Sequence, residues 1–426
     1  MRNVAWIVVV GLLAGGASAG ENWPQFRGPG GDGQSDARGL PLTWSEKKNV
    51  AWKTAIHDRG WSSPVIWADQ IWLTTATKKG RKLFAVCVDR QTGRIVHDVK
   101  VFDVAKPQPI ASMNSYASPT PVIEAGRVYV HFGTYGTACL DTKTARVIWS
   151  RRDMNCDHHM GAGTSPILFG RLLVVPVDGC DVQYVAALDK ATGKTVWKTT
   201  RSVDYSKIHR YTRKAYCTPT VIASGGRAQL ISPCSRAVIA YDPATGKELW
   251  KVRHGGWSIT PRPLFGHGLI YVVTDYDYPE LWALKPGGTG DVTATNVVWK
   301  LTKLAPKKPS FLLIGDLIFL VNDRGYVTCL EAGTGRQVWQ ERIEGQYSAS
   351  MLHADGRIYI FSERSVTTVL KPGRKCEILA ANTLDGRVMA SPAIAGKALF
   401  LRTETHLYRI EKQAEQPKKA AAESRK

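Results

Sequence analysis

Short runs of alternating apolar and polar residues mark out strands along most of the chain. Residues 49–56 set Val50, Trp52 and Thr54 against polar neighbours, a period of two that predicts a half-buried strand. Next, Ser62-Ser63-Pro64-Val65-Ile66 opens a short strand and Ile71-Trp72-Leu73-Thr74 continues it. Leu83-Phe84-Ala85-Val86-Cys87-Val88 gives a third and residues 94–99 a fourth. The same order restarts at Ser118, Ser165, Thr218 and Thr260, less clearly at Ser310 and Ser348, and again at Ser391. Eight starts at a spacing of roughly 45 residues, four short strands each, predict an all-β, eight-bladed β-propeller of four-stranded antiparallel blades.

One phrase joins the third and fourth strands. Asp242-Pro243-Ala244-Thr245-Gly246-Lys247-Glu248-Leu249-Trp250 reads as a strand end, a tight turn and a strand carrying an indole. Asp189 to Gly193 leads in the same way to Trp197, Asp141 to Ala145 leads to Trp149, and Glu331 to Gly335 leads to Trp339. Asp89 to Gly93 leads instead to His97. The recurring Trp is read as structural, filling the wedge between blades in the outer strands.

The last unit supplies only three strands, from Ser391, Ala398 and His406. The missing fourth is predicted to be residues 49–56, so that the N-terminal strand closes the last blade and Trp52 takes the indole position. A closed ring leaves only short, protected edges. It is expected to be a monomer.

The ends do not share the repeat. Residues 1–19 read as a signal peptide, with Arg2, an apolar run from Val4 to Leu13 and Ala17-Ser18-Ala19. This implies a periplasmic or secreted protein with no transmembrane segment after cleavage. Residues 20–48 form an irregular lead-in containing Trp23-Pro24-Gln25-Phe26-Arg27-Gly28, expected to lie on the main body pinned by Trp23 and Phe26. The propeller spans 49–412. Residues 413–426 read as a disordered basic tail with Lys418, Lys419, Arg425 and Lys426.

The composition refines this picture in two ways. With 57 Lys and Arg against 36 Asp and Glu, the net charge is +21, which favours anionic partners. The basic residues are spread along every repeat, so no specific nucleic-acid partner is expected. Cys87, Cys139 and Cys329 recur two residues before the turn's acid and read as small buried hydrophobes. Cys156 with Cys180, or Cys217 with Cys234, are candidate disulfides in an exported chain.

The phrases Leu188-Asp189-Lys190-Ala191-Thr192-Gly193-Lys194-Thr195-Val196-Trp197 and Tyr241 to Trp250 resemble the repeat of pyrroloquinoline-quinone-like (PQQ-like) propellers, from Trp23 to Ile410. The resemblance implies one of two activities. Quinoprotein dehydrogenases hold quinone and calcium over the axis, and those acting on alcohols use adjacent cysteines, a stacking tryptophan and a carboxylate base. Relatives such as the lipoprotein scaffold of the outer-membrane β-barrel assembly machinery keep the repeat without quinone chemistry. Here no two cysteines are adjacent, and no Cys-x-x-Cys-His haem motif occurs. The reading is therefore a non-catalytic scaffold with no cofactor, binding a protein, small molecule or glycan at its channel mouth. The alternative is a PQQ- and calcium-dependent dehydrogenase of alcohols or sugars.

Candidate site residues follow from strand starts, which lie near a propeller's channel. Trp61, Tyr116, Tyr216, Trp257 and Tyr347 precede such starts and offer flat, half-polar surfaces. Asp275 and Asp277 fall between the second and third strands of the fifth unit, either as a polar loop or, in the dehydrogenase alternative, as a base beside Trp257. His158 and His159, in Cys156-Asp157-His158-His159, enter the third unit at the same level. With Asp178, Cys180 and Asp181 they offer ligand atom types but no familiar metal spacing, so no metal is assigned.

Overall fold

The computed structural model describes residues 21–413. The expected leader and all but the first residue of the expected tail lie outside that range. Eight antiparallel sheets follow one another in chain order. Blades 1 to 8 begin with Val65–Trp67, Val122–Glu124, Ile167–Phe169, Thr220–Ser224, Leu264–Gly266, Leu312–Ile314, Leu352–Ala354 and Ala393–Ala395. The first strand of blade 1 lies beside those of blades 2 and 8, so the first strands surround the hub. The fold is the predicted eight-bladed propeller.

The ring closes as its sequence requires. Val50–Ala55 pairs antiparallel with His406–Ile410, from Val50 opposite Ile410 to Ala55 opposite His406. One feature had no signature in the repeat. Gly290–Asp291, from an insertion in blade 5, adds a parallel fifth strand to blade 4 beside Trp250 and Lys251.

The recurring turn joins neighbouring blades. In the turn at Asp189, the carboxylate accepts the N–H groups of Ala191 and Thr192 and the Thr192 hydroxyl. The turn glycine then takes a positive φ and exposes a flat backbone on which the previous blade's indole lies. A Cβ at Gly246 would sit 2.4 Å from the Trp197 ring, and φ there is +73°. Trp197 Nε1 donates to the Pro243 carbonyl at 3.2 Å. Trp149 docks likewise on Gly193, Trp299 on Gly335, and Trp52 on Gly93 across the closure. The indoles therefore join one blade to the next, far from the hub. Between blades 1 and 2 both partners change together: His97 stacks on Trp72 of its own blade, and Ala145 occupies the glycine position with φ +57°.

The lead-in crosses one end of the channel. Trp23 is fully buried and exchanges backbone hydrogen bonds with Ile66, and Ile123 N–H donates to the Pro24 carbonyl. Farther round, His353 N–H donates to the Gly33 carbonyl and Asp355 N–H to that of Ala37. Trp23 pins the segment as expected, while Phe26 reaches the hub and lines the channel. The lead-in is thus a plug, which its irregular, Gly- and Pro-rich sequence permits because it follows a surface of hairpin ends.

Every cysteine is a free thiol, and all but Cys376 are buried. Cys87, Cys139 and Cys329 are core residues, as their register predicted. Neither candidate disulfide is formed: Cys217 Sγ is directed at the Pro261 carbonyl and Cys234 Sγ at that of Ala237.

Candidate functional site

The hub is built from one position repeated around the ring, two residues ahead of each first strand's buried apolar residue. It holds Ser63, Thr120, Ser165, Thr220, Arg262, Ser310, Ser350 and Ser391. Six of the eight reach the next blade through the backbone N–H, and in blade 4 the accepting hydroxyl is that of Thr218, two residues before Thr220. Ser63 N–H donates to Thr120 Oγ1, Thr120 N–H to Ser165 Oγ, and Ser165 N–H to Thr218 Oγ1, at 2.9–3.0 Å. Arg262 N–H donates to Ser310 Oγ, Ser310 N–H to Ser350 Oγ and Ser350 N–H to Ser391 Oγ, again at 2.9–3.0 Å. Small hydroxyl residues fit here because they satisfy backbone donors that no strand partner reaches.

Two buried arginines lock the plug below this ring. Arg27 donates through Nη1 to the carbonyls of Met351 (3.2 Å) and Ser310 (3.3 Å). Its Nη2 donates to the carbonyls of Phe311 (2.6 Å) and Asp32. Arg262, the one ring position without a hydroxyl, donates to the Phe26 carbonyl at 2.5 Å and to Thr220 Oγ1 at 3.1 Å. Burial pulls Arg27 down to about 9 and Arg262 to about 10, both still charged at neutral pH.

Above the plug the channel is a blind well of about 480 Å³, in the size range of small-ligand sites. Phe26 is part of its lining, and Ser and Thr are its commonest residues. Three long connections wall one side: residues 104–121, 152–166 and 201–219. They bring in Met113, Met160, Tyr211, Lys214 and Tyr216. Shorter connections on the other side supply Trp61, Trp257, Tyr276, Asp277, Lys308 and Met389.

Of the nine residues proposed from sequence, Trp61, Tyr216, Trp257 and Asp277 line this well. His159 lies one layer out, its ring stacked on Tyr211 at 4.3 Å. The other four are placed differently. Tyr116 packs over Gly80 and donates its hydroxyl to the Gln108 carbonyl. Tyr347 is buried between blades 6 and 7 and donates to the Glu344 carbonyl. Asp275 is buried and accepts the N–H groups of Tyr276 and Asp277, which fixes its loop instead of opening into the well. His158 is enclosed beside a cavity of about 10 Å³ with His131 and Cys156. Its Nε2 accepts the Thr134 N–H at 3.0 Å, and burial lowers it to about 4.

The ligand atom types around Cys156 are also already committed. Asp178 is held by Arg201 in a buried two-point ion pair, 2.9 and 2.6 Å. Asp181 accepts the N–H groups of Asp157 and Val182. Burial pushes the Cys180 thiol up to about 11. Among the described residues no group of three or more His, Cys, Asp and Glu is placed to hold a metal.

Sequence reasoning missed Phe26, Tyr211, Lys214, Tyr276 and Lys308. Tyr211 and Lys214 sit in an insertion outside the repeat. Phe26 was recognised as an anchor, but its position under the hub depends on contacts with distant blades.

A plugged eight-bladed ring with indole-on-glycine joints defines a PQQ-like propeller whose open end is a blind well. The profile described as outer membrane protein assembly factor BamB matches residues 44–183 and 181–413, and the chain belongs to that family. Among solved structures, it is similar to BamB from Moraxella catarrhalis at 13% identity and a TM-score of 0.60, over 85% of this chain and 99% of that one. A computationally designed protein, Ika8, matches at 11% and 0.56, over 84% and 99%. A europium-containing methanol dehydrogenase matches at 10% and 0.54, over 91% and 90%. At these identities the structural likeness speaks to fold alone. No curated protein matches the sequence.

Proposed function

We propose that the chain is a binding scaffold of the cell envelope, taking a ligand or a segment of a partner protein into the open end of its channel without quinone chemistry. The observation that carries this reading is the well itself: closed below by the lead-in, open above, and lined by rings and hydroxyls. Family membership supports an envelope location, as does the leader-like residues 1–19. Among the described residues no helix is long and apolar enough to cross a membrane.

The donor set fits the quinone and calcium of the dehydrogenase branch poorly. Calcium takes six to eight oxygens, usually with carboxylates among them. Asp277 is the well's only carboxylate among the described residues, and Asp275 is spent on its own loop. The test is a thermal melt with PQQ and calcium, together with dye-coupled oxidation of alcohols and sugars. The scaffold reading expects an unchanged melting temperature and no turnover. A rise of several degrees, the linkage signature of a bound ligand, or turnover lost in Asp277→Asn, would replace it with the dehydrogenase.

A further inference from the structure

The hub hydroxyls have a second property. Thr120, Ser165, Thr218, Ser350 and Ser391 all line the well and are buried. Each hydroxyl oxygen accepts a backbone N–H from a neighbouring blade. None of the five donates its own proton to a protein acceptor among the described residues. A hydroxyl whose oxygen is already bonded has its O–H left to give. The base of the well therefore presents a circle of donors and calls for an acceptor-rich ligand.

Lys214 adds charge to that circle. It lines the well at 5% exposure, and its Nζ donates to the Tyr211 carbonyl with no carboxylate among the described residues within ion-pair distance. Lys308, across the well, is instead held between Asp323 and Glu363 at 3.3 Å each. Asp277, the opposing charge, is exposed. A buried ammonium without a counter-ion is costly, and an entering anion relieves that cost.

The aromatic residues of the well extend the pattern. Four of the six have a cation over the ring: Arg59 over Trp61 at 5.1 Å, Arg210 over Tyr211 at 5.7 Å, Arg236 over Trp257 at 4.9 Å and Lys307 over Tyr276 at 5.2 Å. Flat rings stack on the C–H faces of sugars. Arg59 and Arg210 are paired with Glu404 at 3.7 Å and Asp157 at 2.6 Å, which leaves Arg236 and Lys307, unpaired with a carboxylate among the described residues, to meet acidic substituents. A blind well admits a chain end. Single-stranded nucleic acid needs a groove that follows its backbone.

We propose that the well binds the anionic end of an acidic saccharide, carboxylated or sulfated, with Lys214 and the hub hydroxyls on its acid group and Trp61 and Trp257 on its ring faces. This rests on the scaffold reading and names its ligand class. The test is calorimetry and tryptophan quenching with tetragalacturonate, a heparin-derived tetrasaccharide, cellotetraose and oligothymidylate. At least one acidic tetrasaccharide should bind at least tenfold tighter than cellotetraose, and the tighter of the two identifies the acid group. Lys214→Met should weaken it at least tenfold, Lys214→Arg less than threefold, and Lys247→Met, in the turn on the opposite face, not at all. Trp257→Ala, at a partly exposed ring, gives a second readout if Lys214→Met folds poorly. Equal binding by Lys214→Met, equal loss in Lys247→Met, tighter binding of oligothymidylate, or no binding of either acidic sugar would overturn the proposal. The last result with a flat PQQ and calcium melt removes the ligand class and leaves the scaffold, whereas a PQQ-dependent shift removes both.

Discussion

The two ends of the channel both bury cations, and they use them in opposite ways. At the plugged end Arg27 gives its donors to backbone carbonyls, and Arg262 to the Phe26 carbonyl and side-chain oxygens, most of them from segments far apart in the chain. At the open end Lys214 is nearly as buried, yet gives one hydrogen bond to a carbonyl three residues away. A guanidinium suits the first task because its planar fork serves several acceptors at fixed angles. An ammonium suits the second because it is a compact charge that can turn toward whatever arrives. Burial alone does not distinguish structure from function here. What distinguishes them is whether the protein itself supplies the acceptors.

The largest expected effect comes from emptying the plugged end. Arg27→Ala leaves the carbonyls of Phe311, Met351 and Ser310 without their charged donor and opens a void beneath the hub. Such changes cost about 3–5 kcal/mol, to be read from the urea midpoint at constant slope. A loss below about 1 kcal/mol would mean that the lead-in lies loosely over the channel and that the well is not blind.

The next effect lies in the turns on the same face. Gly246→Ala forces a Cβ into the Trp197 ring at a positive φ and should cost about 2–3 kcal/mol. Ala145→Gly, at the joint where His97 replaces the indole, should instead gain up to about 1 kcal/mol. Equal effects of opposite chemistry at the two turns would show that the indole-on-glycine contact does not stiffen the ring.

Acid should act mainly at the open end. Burial lowers His158 to about 4, partly opposed by Asp181 and Asp157, and lowers His131 and His254 to about 3. Each folded value is below that of the free imidazole, so the unfolded chain takes up protons first as pH falls. The stability is complete above about pH 6.5 and is lost progressively toward pH 4, on the order of 2 kcal/mol at pH 5 for His158 alone. Thermal melts from pH 7 to 4 check this, and His158→Gln should flatten the slope. At the plugged end, burial also lowers His353, which contacts Gln34, so His353→Gln should flatten it less.

How much of this was legible depended on whether a residue belonged to the repeat. The eight strand starts carry the blade count, and Asp242 to Trp250 with its copies carry the strand order and the closing role of Trp52. The Ser and Thr residues at the strand starts were legible as register marks, because each satisfies the same local backbone need. Their shared donor circle was not, since it exists only when five distant segments meet. Tyr116 and Tyr347 looked like Trp61 and Tyr216 by position, yet one packs over Gly80 and the other between blades 6 and 7. A hydroxyl bond to a carbonyl does not set them apart, since Tyr216 makes one to His158 and still lines the well. Lys214 had no signal at all among 57 basic residues.

The smallest expected change in stability is also the sharpest test of the contrast between the ends. Burial lowers the Lys214 pKa, so its charged form is disfavoured where it lies. Met has a similar length and no charge to desolvate. Lys214→Met should therefore shift stability by less than about 1 kcal/mol, in either direction, against the several expected at Arg27. A loss as large as that of Arg27→Ala would show that the open end uses its cation structurally too. A neutral result means that the fold holds an unneutralised charge it does not need, and the reason must then lie in what enters the well.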